Sequence, residues 1–313
     1  MRAAVLRELG TTPELGEFDE PAAGGGQVVL ETLAAGLNPV DIATASGAFY
    51  GGSPELPCVV GREGIGRTGD GARVYFGATV APFGSFAERV PVDPGSVFAV
   101  PDDVADEQAV AFGIAGLAAW LSLEHRARVG EGETVLVLGA SGAVGQIAVQ
   151  AARLLGAAHV VAAARSAEGL ERARALGAHA TVSLDEPDDL AQAFRDAAIG
   201  GVDVVIDPLW GEPGVAALEA AGSGARVVQL GQSAGAEATV RSAAVRGTPL
   251  SIIGHTNFAV PIEVRRAAYT RMVEHAAAGE LTADVETVPL DRAAEAWERQ
   301  KEGPKTKLVI VPG

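Results

Sequence analysis

The stretch VLVLGASGAVGQIAVQAARLLGA, Val135–Ala157, decides the fold. An apolar run, Val135–Leu138, meets three glycines in seven positions (Gly139, Gly142 and Gly145), and a helix-period pattern follows. A short, continuous Val/Leu run bounded by glycine fits a strand buried on both faces. In such a turn one glycine lets the backbone approach a pyrophosphate and another lets helix and strand pack closely. Gly142 and Gly145 stand in those two places; Ala140, with Gly139 just before it, takes the place of the first fingerprint glycine. The helix that starts at Ala143 aims its unpaired N–H groups and positive dipole end at the same point.

The rhythm around the turn makes a phosphate loop into a dinucleotide loop. Strand-like runs occur at Val135–Leu138, Val160–Ala163, Thr181–Ser183, Val202–Ile206, Arg226–Leu230 and Leu250–Ile253. Helical patterns lie between them at Ala143–Leu155, Glu168–Leu176, Asp188–Ala197 and Gly214–Ala221. Six near-continuous apolar strands alternating with helices predict an α/β fold, a six-stranded parallel Rossmann sheet covered on both faces. An NAD site carries Asp or Glu about 20 residues past the first glycine, on the ribose 2′-hydroxyl. Here the second strand ends VVAAARSAEG, with Ala164 at the place of the acid and Arg165-Ser166 after it. An arginine pairs with a 2′-phosphate that a carboxylate would repel, so the expected cofactor is NADPH.

Residues 1–114 have a different texture: short β-type runs (Gln27–Leu33, Arg73–Phe76, Phe86–Pro91, Ser96–Val100) between glycine- and proline-rich turns, with helices expected at Pro39–Ser46 and Asp106–Gly116. This reads as a compact β-rich domain. After Gly254 come a helix (262–278), a strand-like segment, a second helix (290–301) and a closing LVIV strand. The six-stranded sheet is complete by then, so this tail is expected to rejoin the first domain. The expected divisions are 1–114, 115–255 and 256–313.

Composition narrows the chemistry. With 313 residues, 48% hydrophobic and 20% charged, the chain can bury a large core. A net charge of −16 argues against nucleic-acid and anionic-membrane partners, which demand clustered Lys and Arg. The lone cysteine, Cys58, forbids an internal disulfide and a cysteine-rich zinc site, and the expected location is cytoplasmic. None of the five histidines forms a metal-spaced pair; His255 follows the sixth strand, and Asp207 ends the fourth as a turn former.

Over nearly its whole length the chain resembles the medium-chain dehydrogenase/reductases, in their zinc-independent, zeta-crystallin-like quinone oxidoreductase branch. The stretches that carry the resemblance are GLNPVDIATASG (36–47), LPCVVGREGIG (56–66), FGSFAERVPV (83–92), AFGIAGLAAWLSL (111–123), the glycine turn, LERARALGA (170–178) and KTKLVIV. The resemblance implies a GroES-like β-rich catalytic domain beside the Rossmann domain, and a homodimer. Zinc-dependent members place a Cys in the first stretch and a His in the second; here those places hold Asn38 and Arg62, which implies no metal. Without a Lewis acid, oxidation of a simple alcohol loses its means of stabilising an alkoxide. An enone or quinone spreads the charge onto an oxygen that hydrogen bonds can hold.

The expected function is therefore NADPH-dependent reduction of a quinone or α,β-unsaturated carbonyl. A pathway-specific enoyl or secondary-metabolite reductase is one alternative, and an NADPH-binding sensor or scaffold without turnover is another. Asn38 matches a family asparagine beside nicotinamide and substrate, though Asn38-Pro39 is equally a good helix start. Tyr50 stands one position beyond a family tyrosine, whose own place holds Phe49, and is the other catalytic candidate. Cofactor contacts are expected from Asn38, from Ser141, Gly142, Ala143 and Val144 in the turn, and from Arg165 and Ser166. The resemblance adds Leu230 and Gly231 after the fifth strand, Phe258 after the sixth, and Lys307. It also shows departures: Ala45 for an arginine, Ala118 for a threonine, Gly169 for a basic residue and Leu184 for a tyrosine.

Overall fold

Chain order explains the architecture. A computed structural model describes all 313 residues. The N-terminal part contains β1 (Arg2–Leu6), β2 (Glu14–Glu17), β3 (Val28–Gly36), α1 (Pro39–Ala45), β4 (Cys58–Val59), β5 (Glu63–Arg67), β6 (Arg73–Phe76), β7 (Arg89–Val92), β8 (Val97–Ala99) and α2 (Asp106–Ala111). Then comes α3 (Ile114–Leu121), which runs into a π-helical stretch, Ser122–Ala127. The glycine-turn region contains β9 (Thr134–Leu138), α4 (Ala143–Leu154), β10 (His159–Ala164), α5 (Ala167–Ala175), β11 (Ala180–Ser183), α6 (Leu190–Ala197), β12 (Val202–Asp207), α7 (Gly211–Ala220), β13 (Ala221–Gln229), α8 (Ser242–Arg246) and β14 (Ser251–Gly254). The tail adds α9 (Ile262–Ala277), β15 (Val285–Pro289), α10 (Ala293–Glu302) and β16 (Lys307–Val311).

Contacts divide the chain into two units: Met1–Ile114 with Tyr269–Gly313, and Ala115–Ala268. In the second unit six parallel strands lie in the order β11-β10-β9-β12-β13-β14, the doubly wound dinucleotide-binding topology with its switch between β9 and β12. Strand β9 is buried along its whole length, as a central parallel strand must be. Beneath the sheet, Phe194 of α6 packs with Leu136, Val161, Val205 and Leu218. The first unit has a seven-stranded and a three-stranded sheet. There β16 pairs with both β3 and β15, which ties the tail into the N-terminal sheet. Its core is built around Trp297 and Phe86, whose rings meet edge to face at 6.5 Å. No helix is long and apolar enough to cross a membrane.

Three expectations need correction. The single helix over 106–116 is two: α2 ends, Gly113 intervenes, and α3 starts at Ile114. A Cβ on Gly113 would overlap the Glu63 carboxylate and the Tyr75 ring, so a buried side chain from elsewhere fixes the break. Strand β13 begins at Ala221, not Arg226, because Ala221 already pairs with Val202 before the register shifts. Ala221, expected to end the helix over 214–221, instead opens the strand, which continues through that irregularity. Helix α8 also lies in a stretch where no helix was expected.

Candidate active site

The glycine turn in the second unit shows what each glycine does. Gly139 adopts φ +63°, the left-handed conformation that starts the tight turn. A Cβ on Gly145 would overlap the Gly139 carbonyl oxygen and lie 2.6 Å from Ala140 Cα, so glycine here lets α4 rest on the end of β9. Gly142 caps α4 in an extended conformation, and its Cβ position meets nothing nearer than the Gly139 oxygen at 3.6 Å. Ser141, Gly142, Ala143 and Val144 are all half-buried, whereas the next residues of α4 are buried. Gln146 donates from Nε2 to the Ser141 carbonyl at 2.9 Å, which steadies the loop. The result is a rigid, uncluttered helix N-terminus that fits a dinucleotide pyrophosphate.

The carboxyl ends of the strands hold the other candidates of this unit. Ala164 is buried at the end of β10, and Arg165 follows it, exposed and without an ion-pair partner. Ser166 caps α5 by accepting from Gly169 N at 3.0 Å. A Cβ on Gly169 would stand 2.5 Å from Ser141 Cβ. Glycine therefore brings the start of α5 against the phosphate loop, where a long basic side chain has no room. At the end of β12, Asp207 is fully buried; its Oδ1 accepts from the backbone N–H of Leu209 and Trp210 at 2.8 Å each. Those contacts are those of a turn former. Burial pushes its carboxyl above the usual range despite them. Leu230 and Gly231 are half-buried beyond β13, and Phe258 is exposed beyond β14. His255 is pushed down to about 4, chiefly by burial, so its ring is neutral at neutral pH.

In the first unit four other segments of the chain meet at one carboxylate. Glu63, at the start of β5, is fully buried. Its Oε1 accepts from Lys307 Nζ at 2.9 Å and from Asn38 Nδ2 at 2.8 Å. Its Oε2 accepts from the Tyr75 hydroxyl at 3.0 Å and from the Ile114 N–H at the start of α3 at 2.5 Å. Two glycines make the room: a Cβ on Gly36 would overlap Oε1 and one on Gly113 would overlap Oε2. Lys307 is equally committed, donating also to the Leu37 carbonyl at 3.1 Å and to Asn38 Oδ1 at 2.5 Å. Asn38, expected at the cofactor, thus has its side-chain oxygen taken by Lys307 and its amide shared between Glu63 and the Gly36 carbonyl. Its backbone N–H donates to Asp41 Oδ2 at 2.8 Å at the start of α1. Asp41 is raised to about 7, first by burial, with the Asn38 bond and Lys307 opposing.

Sequence reasoning singled out Asn38 and Lys307 but passed over Glu63 and Tyr75. One signal was present: a lone acid, with Arg62 beside it, in the run CVVGREGIG, whose other residues are all apolar or glycine. A fully buried acid needs paired, hydrogen-bonded company. Tyr50 lies away from this network: it is 79% exposed, with its ring centroid 4.5 Å from that of Phe49. Arg62 is half-buried, with Cζ 5.2 Å from the centre of the Phe49 ring.

Known proteins share this architecture. The family described as Zinc-binding dehydrogenase matches residues 143–274. The quinone oxidoreductase of Thermus thermophilus, whose crystal structures include a complex with NADPH, is 31% identical, covers 99% of this chain and 100% of its own, and gives a TM-score of 0.82. The chain belongs to the medium-chain dehydrogenase/reductase superfamily. It is an oxidoreductase of the quinone oxidoreductase-like kind. A second solved structure, described as an NAD-dependent alcohol dehydrogenase, covers both chains fully with a TM-score of 0.90 at 28% identity. A phenolphthiocerol/phthiocerol polyketide synthase of Mycobacterium tuberculosis is 30% identical over 302 residues, 92% of this chain. This chain spans only 14% of that protein's length. The zinc of the family's description does not fit these residues: no three His, Cys, Asp or Glu side chains come together to hold a metal ion.

Proposed function

We propose that this medium-chain reductase passes hydride from NADPH to a quinone or an α,β-unsaturated carbonyl, without a metal. The end of β10 carries the reading. Ala164 leaves no carboxylate to repel a 2′-phosphate, and Arg165 presents an exposed guanidinium with no ion-pair partner. NADPH, when bound, supplies the two-electron hydride. The chain's residues supply the rest. The N–H groups at the start of α4 hold the pyrophosphate, Gly142 lets it approach, and Gly145 keeps the helix fixed on β9. The donor set favours an activated acceptor, because Asn38 and Arg62 stand where zinc-dependent relatives have ligands. With no residues to hold a Lewis acid, the developing charge must be one that hydrogen-bond donors can carry. The quinone oxidoreductase named above, solved with NADPH, supports the same reading.

The test is oxidation of NADPH with 1,4-naphthoquinone and with a simple enone, with and without a chelator. Turnover that favours NADPH over NADH and ignores the chelator is the expected result; turnover abolished by the chelator overturns the metal-free reading. A second reading, reduction of an enoyl thioester in a biosynthetic pathway, is favoured by the likeness to a segment of a polyketide synthase. A crotonyl thioester reduced far faster than any quinone would select it. The same proposal has the protein working as a homodimer in the cytoplasm.

A further inference from the structure

We infer that Asp207 is a positioning residue of the dinucleotide site: its buried carboxyl holds the turn Pro208–Gly211 in a strained conformation, and that turn sets the glycine turn on one side against the Leu230–Ala234 loop on the other. This rests on the dinucleotide reading above and deepens it. Every residue involved belongs to the second unit.

The turn is strained where no glycine relieves it. Trp210 has φ +55° and ψ −152°, a region that glycine enters freely and a tryptophan does not. Such a residue persists only where its surroundings over-determine it. Asp207 does so from below: its Oδ1 accepts from the backbone N–H of Leu209 and from that of Trp210, both at 2.8 Å. Its Oδ2 is buried and has no partner. An enclosed carboxyl oxygen without a partner is costly, more than a turn alone requires. Helix α7 is cut back to make room for it: a Cβ on Gly214 would stand 2.7 Å from that Oδ2.

The far side of the turn reaches both strand-end loops assigned to the dinucleotide. Toward β9, a Cβ on Gly139 would stand 3.1 Å from Leu209 Cδ2 and 3.3 Å from Pro208 Cγ, so both side chains close against the residue that opens the glycine turn. Toward β13, the Asp207 carbonyl accepts from the Leu230 N–H at 2.9 Å and the Leu209 carbonyl from the Ala234 N–H at 2.9 Å. The Pro208 carbonyl accepts from the Ser233 N–H at 3.3 Å, and a Cβ on Gly231 would stand only 2.5 Å from the same oxygen. In the sheet β12 lies between β9 and β13, at the switch point where sheets of this topology bind ligands. A shift of the turn therefore moves both loops, and the carboxyl is what opposes the shift.

The experiment titrates the full chain with NADP⁺ and with NAD⁺ by calorimetry and records the melting temperature of each variant. Asp207→Ala leaves two N–H groups without their acceptor and is expected to weaken both dinucleotides about tenfold. Asp207→Asn keeps an oxygen for those N–H groups and is expected to bind within about threefold of wild type. Gly214→Ala puts a methyl group against Oδ2 in a helix that favours alanine; the fold is expected to be kept and both affinities to fall about threefold or more. With 1,4-naphthoquinone, the KM for NADPH is expected to rise in Asp207→Ala and Gly214→Ala by the same factors, with kcat at saturating NADPH within about twofold of wild type. A folded Asp207→Ala that binds as wild type does overturns the inference, as does an Asp207→Asn that restores nothing. A loss confined to NADP⁺ places the effect at the 2′-phosphate and overturns it too. Should Asp207→Ala not fold, Gly214→Ala decides: weakened binding of both dinucleotides supports the positioning role, and unchanged binding overturns it. A wild-type chain that binds neither dinucleotide overturns the dinucleotide reading itself and leaves Asp207 a turn former only.

Discussion

Lys307 gives its ammonium three acceptors while only 3% exposed, and Glu63 is wholly buried beside it. Removing one partner of such a pair leaves an uncompensated buried charge, which costs about 3–5 kcal/mol. Lys307→Met is therefore expected to lower unfolding free energy by that order in urea titrations; a loss under about 1 kcal/mol would contradict the network. Asp41 sets a pH dependence. Its carboxyl titrates near 7 in the folded chain against about 4 when unfolded, so the folded state binds more protons in that window. Its contribution is full below about pH 4 and is lost as pH rises through 7. The melting temperature of wild type minus that of Asp41→Asn should fall between about pH 4.5 and 7.5; a flat difference argues against a neutral Asp41. At Arg165, charge-assisted pairing with a 2′-phosphate contributes about 1.5–3 kcal/mol. Arg165→Ala should thus weaken NADPH about 10- to 100-fold and NADH by less than about twofold, and equal losses for the two would sink the NADPH assignment.

At the scale of elements, the glycine turn separates a ligand-facing glycine from a packing one. Gly142 has open space at its Cβ and a conformation any residue adopts, whereas Gly145 is closed in by the Gly139 carbonyl and Ala140. Gly142→Ala should leave the melting temperature nearly unchanged and weaken dinucleotide binding. Gly145→Ala should destabilise the second unit by about 1–3 kcal/mol, as overpacking does, and weaken binding as a consequence. Calorimetry and a binding titration on both variants check the contrast; the reverse pattern would reassign the two glycines. Apart from α8 and the start of β13, the strands and helices of this unit were legible in the sequence because their causes are local. Strand β9 is an unbroken apolar run, and α6 starts on Asp189, whose side chain accepts from Gln192 N. The division between α2 and α3 was not legible. Its cause is Glu63, 51 residues away, whose carboxylate takes the Ile114 N–H and occupies the space beside Gly113.

The same distinction holds for the whole molecule. The glycine turn and the end of β10 could be read because they lie in one short βαβ segment. The Glu63 cluster could not, because Asn38, Glu63 and Lys307 meet only once β16 has paired with β3, closing a 269-residue separation between Lys307 and Asn38. The six-stranded sheet also leaves an exposed edge. Strand β14 pairs with β13 on one side only, from Ser251 opposite Arg226 to Gly254 opposite Gln229, and Ile252 is 44% exposed. A bare edge bearing apolar side chains invites a further strand, and the symmetric solution is the same edge of a second copy. A homodimer would then join two six-stranded sheets through β14. Light scattering at micromolar concentration should give about twice the 31.7 kDa chain mass. Ile252→Lys puts a charge on that edge, a device that keeps natural edge strands apart. It should shift the protein to the monomer while leaving NADPH binding intact, since Ile252 lies outside the glycine turn and the end of β10. A wild-type monomer, or an Ile252→Lys protein that still dimerises, would place any interface elsewhere.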